Sequence, residues 1–442
     1  MVIVTQARHL RLSPPPTTTV SAIIYDPTSL CLALKHSDSS FSLYPNISPF
    51  SQPSATTTAS AVVVSPPSSD ATFLRLRTTD TSRVIFVVSS PHLAGNEILL
   101  RFYNVRTDNK FTRVRVCCNQ SDLSYDERKL GVLFKVKHGV SIKLVGSTNV
   151  FAMYSVSARK VWVFAVKIVG DDIKLMKTAV IDCNLPVFSI SVSVEFLILG
   201  EENGVRVFNL RPLVKGKLIK KSDNLKLQKM NGTISQTNGK SILLLKPGKT
   251  SGISSKLINV NANSAKLKTL KMIQNSNEDG VRFVAFKSAE FEDPNSSKGP
   301  WMSIKAISIH FLANNKFLIL DSVGDLYLLL LSNPISGSVS TCEMKKLNLT
   351  MKVQIVAVHP DDSTRAKTVW VSDGEYTIYA IIVSDADSTT NENDTEDIAE
   401  KIQSSASEVI FTSEKIQQII PLAANAILLL GQANNIFAYA IS

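Results

Sequence analysis

The chain has 442 residues, 44% of them hydrophobic, and a formal charge of +11. No apolar run approaches the roughly 20 residues that a membrane-spanning helix needs. The five cysteines, Cys31, Cys117, Cys118, Cys183 and Cys342, are sparse and odd in number, which argues against a disulfide-stapled secreted domain. The opening MVIVTQARHLRLSPPP lacks an apolar stretch of signal-peptide length. The reading is an intracellular protein, nuclear or cytoplasmic, without membrane association.

Helical periodicity is nearly absent. Apolar residues alternate or form runs of four to six, rich in Val, Ile, Phe and Leu and punctuated by Gly, Asn, Asp and Ser, which is the pattern of short strands. The first candidate strand, Val2 to Leu12, is cut off from the rest of the chain by Pro14, Pro15 and Pro16. A four-strand rhythm then begins. The first cycle takes residues 21–27, 29–37, 40–46 and 61–64. The second takes 73–77, 83–90, 97–105 and 111–118. The third takes 141–147, 149–157, 160–169 and 173–181.

The fourth cycle, from residue 187, holds the stretch that shows the grammar best. Glu195 to Leu210 reads EFLILGEENGVRVFNL: an apolar strand, a polar break closed by Gly204, and an alternating strand. That is a β-hairpin in sequence form. Its outer strand is predicted far downstream, at residues 281–289. The fifth cycle spans 303–349, the sixth 353–414 and the seventh 416–442. The last is one strand short, while the chain opened with one strand too many. The pattern implies an all-β fold class: a single seven-bladed β-propeller over residues 1–442, closed by the N-terminal strand pairing into the last blade. Closure leaves only short, protected sheet edges. The alternative is eight blades, with residues 241–248 and 255–261 pairing inside the long gap.

Two stretches carry a family resemblance. The run GEENGVRVFNL, Gly200 to Leu210, is similar to the WD40-repeat signature, with Phe208 where the family has Trp and Asn209 where it has Asp. Val356 to Asp362, VAVHPDD, resembles the inner-strand ending of that family, with Asp362 replacing the usual glycine. No blade carries an intact Trp-Asp or Gly-His pair, so the chain resembles a diverged WD40-like propeller. The resemblance implies a platform for binding other proteins.

Two charged segments interrupt the rhythm. Between Val214 and Asn275 stand thirteen Lys against one Asp, enough to account for the whole excess of positive charge. The segment 211–280 is expected to be a basic, disordered insertion, and 384–406 an acidic loop. Lys215, Lys217, Lys220, Lys221, Lys226 and Lys229 fit three readings: a solvated loop, a nuclear-import signal, or an arm neutralising nucleic-acid phosphates. Lysines without interleaved arginines or aromatics argue against base-specific contacts.

No catalytic, cofactor or metal signature emerges. The six histidines are scattered, whereas zinc needs clustered Cys or His at short regular gaps. The GKT at Gly248 to Thr250 lacks the glycine a phosphate loop requires five residues earlier, where Leu243 stands. Trp162, Trp301 and Trp370 are expected to pack between blades. The function expected is a non-catalytic scaffold for protein–protein interaction; the alternatives are a nucleic-acid-associated propeller using the Lys-rich loop, or a propeller enzyme.

Overall fold

The computed structural model describes residues 4–10, 12, 18–50, 62–79, 81–105, 110–136, 141–215, 217–218, 267–276, 280–286, 303–331, 342–359, 366–384 and 405–441. They form seven antiparallel blades. The innermost strands, in blade order, are Val20–Asp26, Asp70–Arg77, Ile142–Gly146, Ser189–Val192, Ala306–Ala313, Ile355–Val358 and Ile416–Ala423. Blade 7 is completed by Val4–His9, which runs antiparallel to Ile436–Ile441 with Ala7 opposite Tyr439 and His9 opposite Phe437. The fold is thus the closed ring that the sequence predicts, with seven blades.

The strands are apolar on both faces because each face meets a different neighbour. In blade 5, Phe317 and Ile319 enter the cluster shared with blade 4, while Leu318 and Leu320 enter the one shared with blade 6. In blade 7, Ile427 and Leu429 face blade 6, whereas Leu428 and Leu430 face blade 1. Seven apolar clusters result, one at each junction between blades. Trp162 packs edge-on against Phe134 between blades 2 and 3, and Trp370 is fully buried between blades 6 and 7. Both fulfil the packing role expected of them; Trp301 lies outside the described residues.

One hairpin position recurs. The turn joining the second and third strands places a residue at positive φ in every blade: Ser39, Asn203, Gly324, Gly374 and Asn434 in blades 1, 4, 5, 6 and 7, Leu93, Ala94 and Gly95 in blade 2, and Arg159 in blade 3. Gly and Asn adopt this backbone most readily, and the sequence supplies one or the other in blades 4 to 7. Gly204, next to Asn203, is required for another reason. A Cβ there would press into the Val284 carbonyl of the outer strand Val281–Ala285, which the sequence placed correctly.

The sequence reading fails at the outer edges of blades 2 and 3. Residues 111–118 do not form one strand. Phe111–Arg113 pairs with the lower half of Glu97–Val105, and Gly131–Lys135, missed in the sequence, pairs with its upper half. Val116–Cys118 crosses to blade 3 and adds parallel to Asp172–Asp182. The same blade 3 strand takes a second parallel addition, Leu270–Ile273, from the far end of the Lys-rich segment. Between the two additions the Gln120 amide bridges the backbone of Lys177, accepting from its N–H at 2.6 Å and donating to its carbonyl at 2.7 Å. The ends of the segment predicted as a disordered insertion are therefore folded. Leu210–Lys215 is a short helix, and Lys217–Leu218 pairs with Leu267–Lys268.

Candidate functional site at one mouth of the channel

Side chains sew the inner strands together around the channel. Gln418 of blade 7 exchanges both amide bonds with the Ile23 backbone of blade 1, at 2.8 and 2.9 Å. The Leu144 N–H of blade 3 donates to Asp70 at 2.7 Å, and the Gly146 N–H to Thr72 at 3.1 Å. Burial pushes the Asp70 carboxyl above its ordinary range, against the pull of the Leu144 bond. Gly146 must be glycine, since a Cβ would run into the Phe73 carbonyl. Ser189 Oγ donates to the Ala306 carbonyl at 2.7 Å across blades 4 and 5. A wall fixed this way is rigid without being covalent.

Where the inner strands of blades 1 to 5 end, the wall opens into a cavity of about 330 Å³. Half-buried Tyr25, Phe73, Phe196 and Phe311 form its apolar part, and Thr148, Glu195 and Asn314 its polar part. Val194 stands on the rim, 74% exposed. Arg75 of blade 2 reaches Asp26 of blade 1 through Nε at 3.0 Å and Nη2 at 2.9 Å. The other Asp26 oxygen accepts from the Ser29 N–H and hydroxyl at 2.9 and 2.7 Å. Burial, reinforced by Asp26 beside it, pushes the Tyr25 phenol up to about 12. The buried Asp26 carboxylate is thus engaged at both oxygens, and the Tyr25 phenol stays protonated at neutral pH. This mouth offers shape, aromatic surface and fixed hydrogen-bonding groups.

Of the lysines singled out in the sequence, Lys215 and Lys217 lie elsewhere. Lys215 ends the helix that packs Leu210 and Leu213 between blades 3 and 4, and Lys217 belongs to the two-residue ladder. Lys220, Lys221, Lys226 and Lys229 lie outside the described residues. Sequence reasoning missed Asp26, Arg75 and Glu195. Nothing in a linear pattern links an acid to an arginine 49 residues away on the next blade. Among the described residues no group of three or more His, Cys, Asp or Glu is placed to hold a metal ion, and no helix is long and apolar enough to cross a membrane.

These sheets define the class: a seven-bladed β-propeller. No protein-family model matches the chain, and no curated protein matches it. Among solved structures it is similar to the β-propeller domain of Myceliophteria thermophila Cps50 (Swd1), at 8% identity and TM-score 0.47, covering 99% of this chain and 100% of that one. It is also similar to the WD40 repeats of RRP9, at 8% identity and TM-score 0.44, covering 100% and 99%. For U3-55K the values are 8% and 0.45, with both chains fully covered.

Proposed function

We propose that this propeller is a non-catalytic scaffold that holds other proteins in an intracellular complex, nuclear or cytoplasmic, and that its channel mouth receives a segment of one of them. The observation that carries this reading is the mouth itself: a preformed cavity of about 330 Å³ with half-buried aromatic walls, whose central ion pair is already satisfied internally. Preformed, mostly apolar concavities with a few placed polar groups are the usual form of binding sites. Loops and rims on rigid scaffolds commonly carry recognition. The test is affinity capture with the wild type and with a Val194→Arg/Thr148→Arg variant that fills the mouth, read by quantitative mass spectrometry. At least one stoichiometric partner should disappear with the variant. An identical partner set would reject the mouth as the docking site.

Lys215, Lys217, Lys220, Lys221, Lys226 and Lys229 are proposed as a nuclear-import signal. A fluorescent fusion should leave the nucleus when the six become alanine; an unchanged distribution would dismiss the signal.

A further inference from the structure

We infer that the outer flank of blade 3 facing blade 4 is a binding track for the phosphate backbone of a nucleic acid. The argument begins with strand register. Lys167 and Lys174 are direct partners across the antiparallel pair Lys160–Val169 and Asp172–Asp182. Their neighbours Val166 and Leu175 enter the cluster shared with blade 2, so the two lysines project to the opposite side, toward blade 4. Like charges set directly opposite each other in a sheet repel. Neither lysine makes an ion pair among the described residues, and Lys167 is exposed. Asp172 shares this face at the start of its strand.

The helix Leu210–Lys215 lies on the same side, since Leu210 and Leu213 enter the cluster between blades 3 and 4. It presents Arg211 and Lys215 to solvent. From its end the chain enters the Lys-rich segment and returns through the ladder of Lys217–Leu218 with Leu267–Lys268, docking on blade 3 through Leu270–Ile273. The described ends of that segment are therefore anchored on the same side of blade 3 as these cations.

The arrangement selects the partner's chemistry. The cations are spread over two paired strands and a neighbouring helix and do not converge on a pocket, which suits an extended polyanion. Neither Lys167 and Lys174 nor Arg211 and Lys215 are interleaved with aromatics, so the protein meets phosphates, without base stacking. Such binding is driven by counterion release and is steeply salt-dependent. This inference is independent of the channel mouth, which lies where the inner strands end.

The experiment uses the full chain and labelled 20-base-pair duplexes of DNA and RNA, with anisotropy followed from 50 to 300 mM NaCl. Wild type should bind with a steep salt slope. Lys167→Ala/Lys174→Ala should bind about tenfold more weakly, with the slope reduced by roughly 2, about one for each phosphate no longer neutralised. Its melting temperature should match the wild type. Arg211→Ala/Lys215→Ala should act in the same direction, so the test survives if one variant misfolds. Lys415→Ala, on blade 7, should leave affinity and slope unchanged. Failure of either duplex to bind at 50 mM NaCl would overturn the inference, as would unchanged binding in both double variants. So would tighter binding of polyglutamate or of anionic phosphatidylserine vesicles than of either duplex.

Discussion

Glu201 is a carboxylate in the interior, 1% exposed, and its environment explains how it is tolerated. Arg206 grips it with Nε at 2.7 Å and Nη2 at 2.9 Å, and Gln274 donates Nε2 to it at 2.8 Å. Removing one partner of a buried pair leaves an uncompensated charge, whereas replacing both by apolar groups of similar size is far milder. Arg206→Ala is therefore expected to lower unfolding stability by about 3–5 kcal/mol, and Glu201→Leu/Arg206→Met by much less, both read from urea denaturation. His310 makes a pH-dependent case on the inner strand of blade 5. Its Nε2 lies 3.0 Å from Ser308 Oγ, and burial pushes its pKa down to about 4. The unfolded chain holds a proton on this imidazole below about 6.5, while the folded one remains neutral until about pH 4. Between those values the unfolded state binds more protons, so stability falls as pH drops and levels off below about 4. His310→Asn should flatten that part of the stability curve. Thermal melts of both proteins from pH 7 to 4 decide it: parallel curves would mean that His310 does not contribute.

At the scale of elements, the parallel additions on blade 3 determine what the Lys-rich segment can and cannot disturb. Met272 is buried in the cluster between blades 3 and 4, and fully buried Gln274 accepts the Leu185 N–H while binding Glu201. Removing residues 219–266 should therefore leave cooperative unfolding intact. Met272→Asp, which puts an unpaired charge into that cluster, should destabilise blades 3 and 4 by several kcal/mol. Differential scanning calorimetry of the two variants separates these outcomes. The blades themselves were legible because each hairpin is local: Asn203 and Gly204 announce a turn, and strands apolar on both faces announce burial between neighbours. The additions were not legible, because period-2 alternation continues through residues 111–118 although the chain changes blades within them. Alternation says which residues share a face and is silent on which strand they meet. The mouth escaped for the same reason, since Asp26 and Arg75 meet only once two blades stand side by side.

At the scale of the whole molecule, the ring holds because its first strand is its last. Val4–His9 completes blade 7, the Leu10 N–H donates to the Ile436 carbonyl at 2.8 Å, and Arg8 reaches the Pro49 carbonyl of blade 1 at 3.1 Å. His9 stacks obliquely on Phe437 with ring centres 5.1 Å apart. The N-terminal strand thus bridges the two blades where the circle closes, while Gln418 joins the same blades on the channel side. Removing residues 1–12 would leave Ile436–Ile441 as a bare edge, and an unpaired edge is a template for another chain. Each backbone hydrogen bond removed costs about 0.5–1.5 kcal/mol net, so the truncated protein should melt lower and associate in a concentration-dependent way, visible by light scattering. A synthetic peptide of residues 1–12 supplied in trans should raise the melting temperature and restore the monomer, because the receiving edge is already built by Ala426–Gly431 and Ile436–Ile441. A truncated protein that melts with the full chain and stays monomeric would show that the inner-strand stitches alone close the circle.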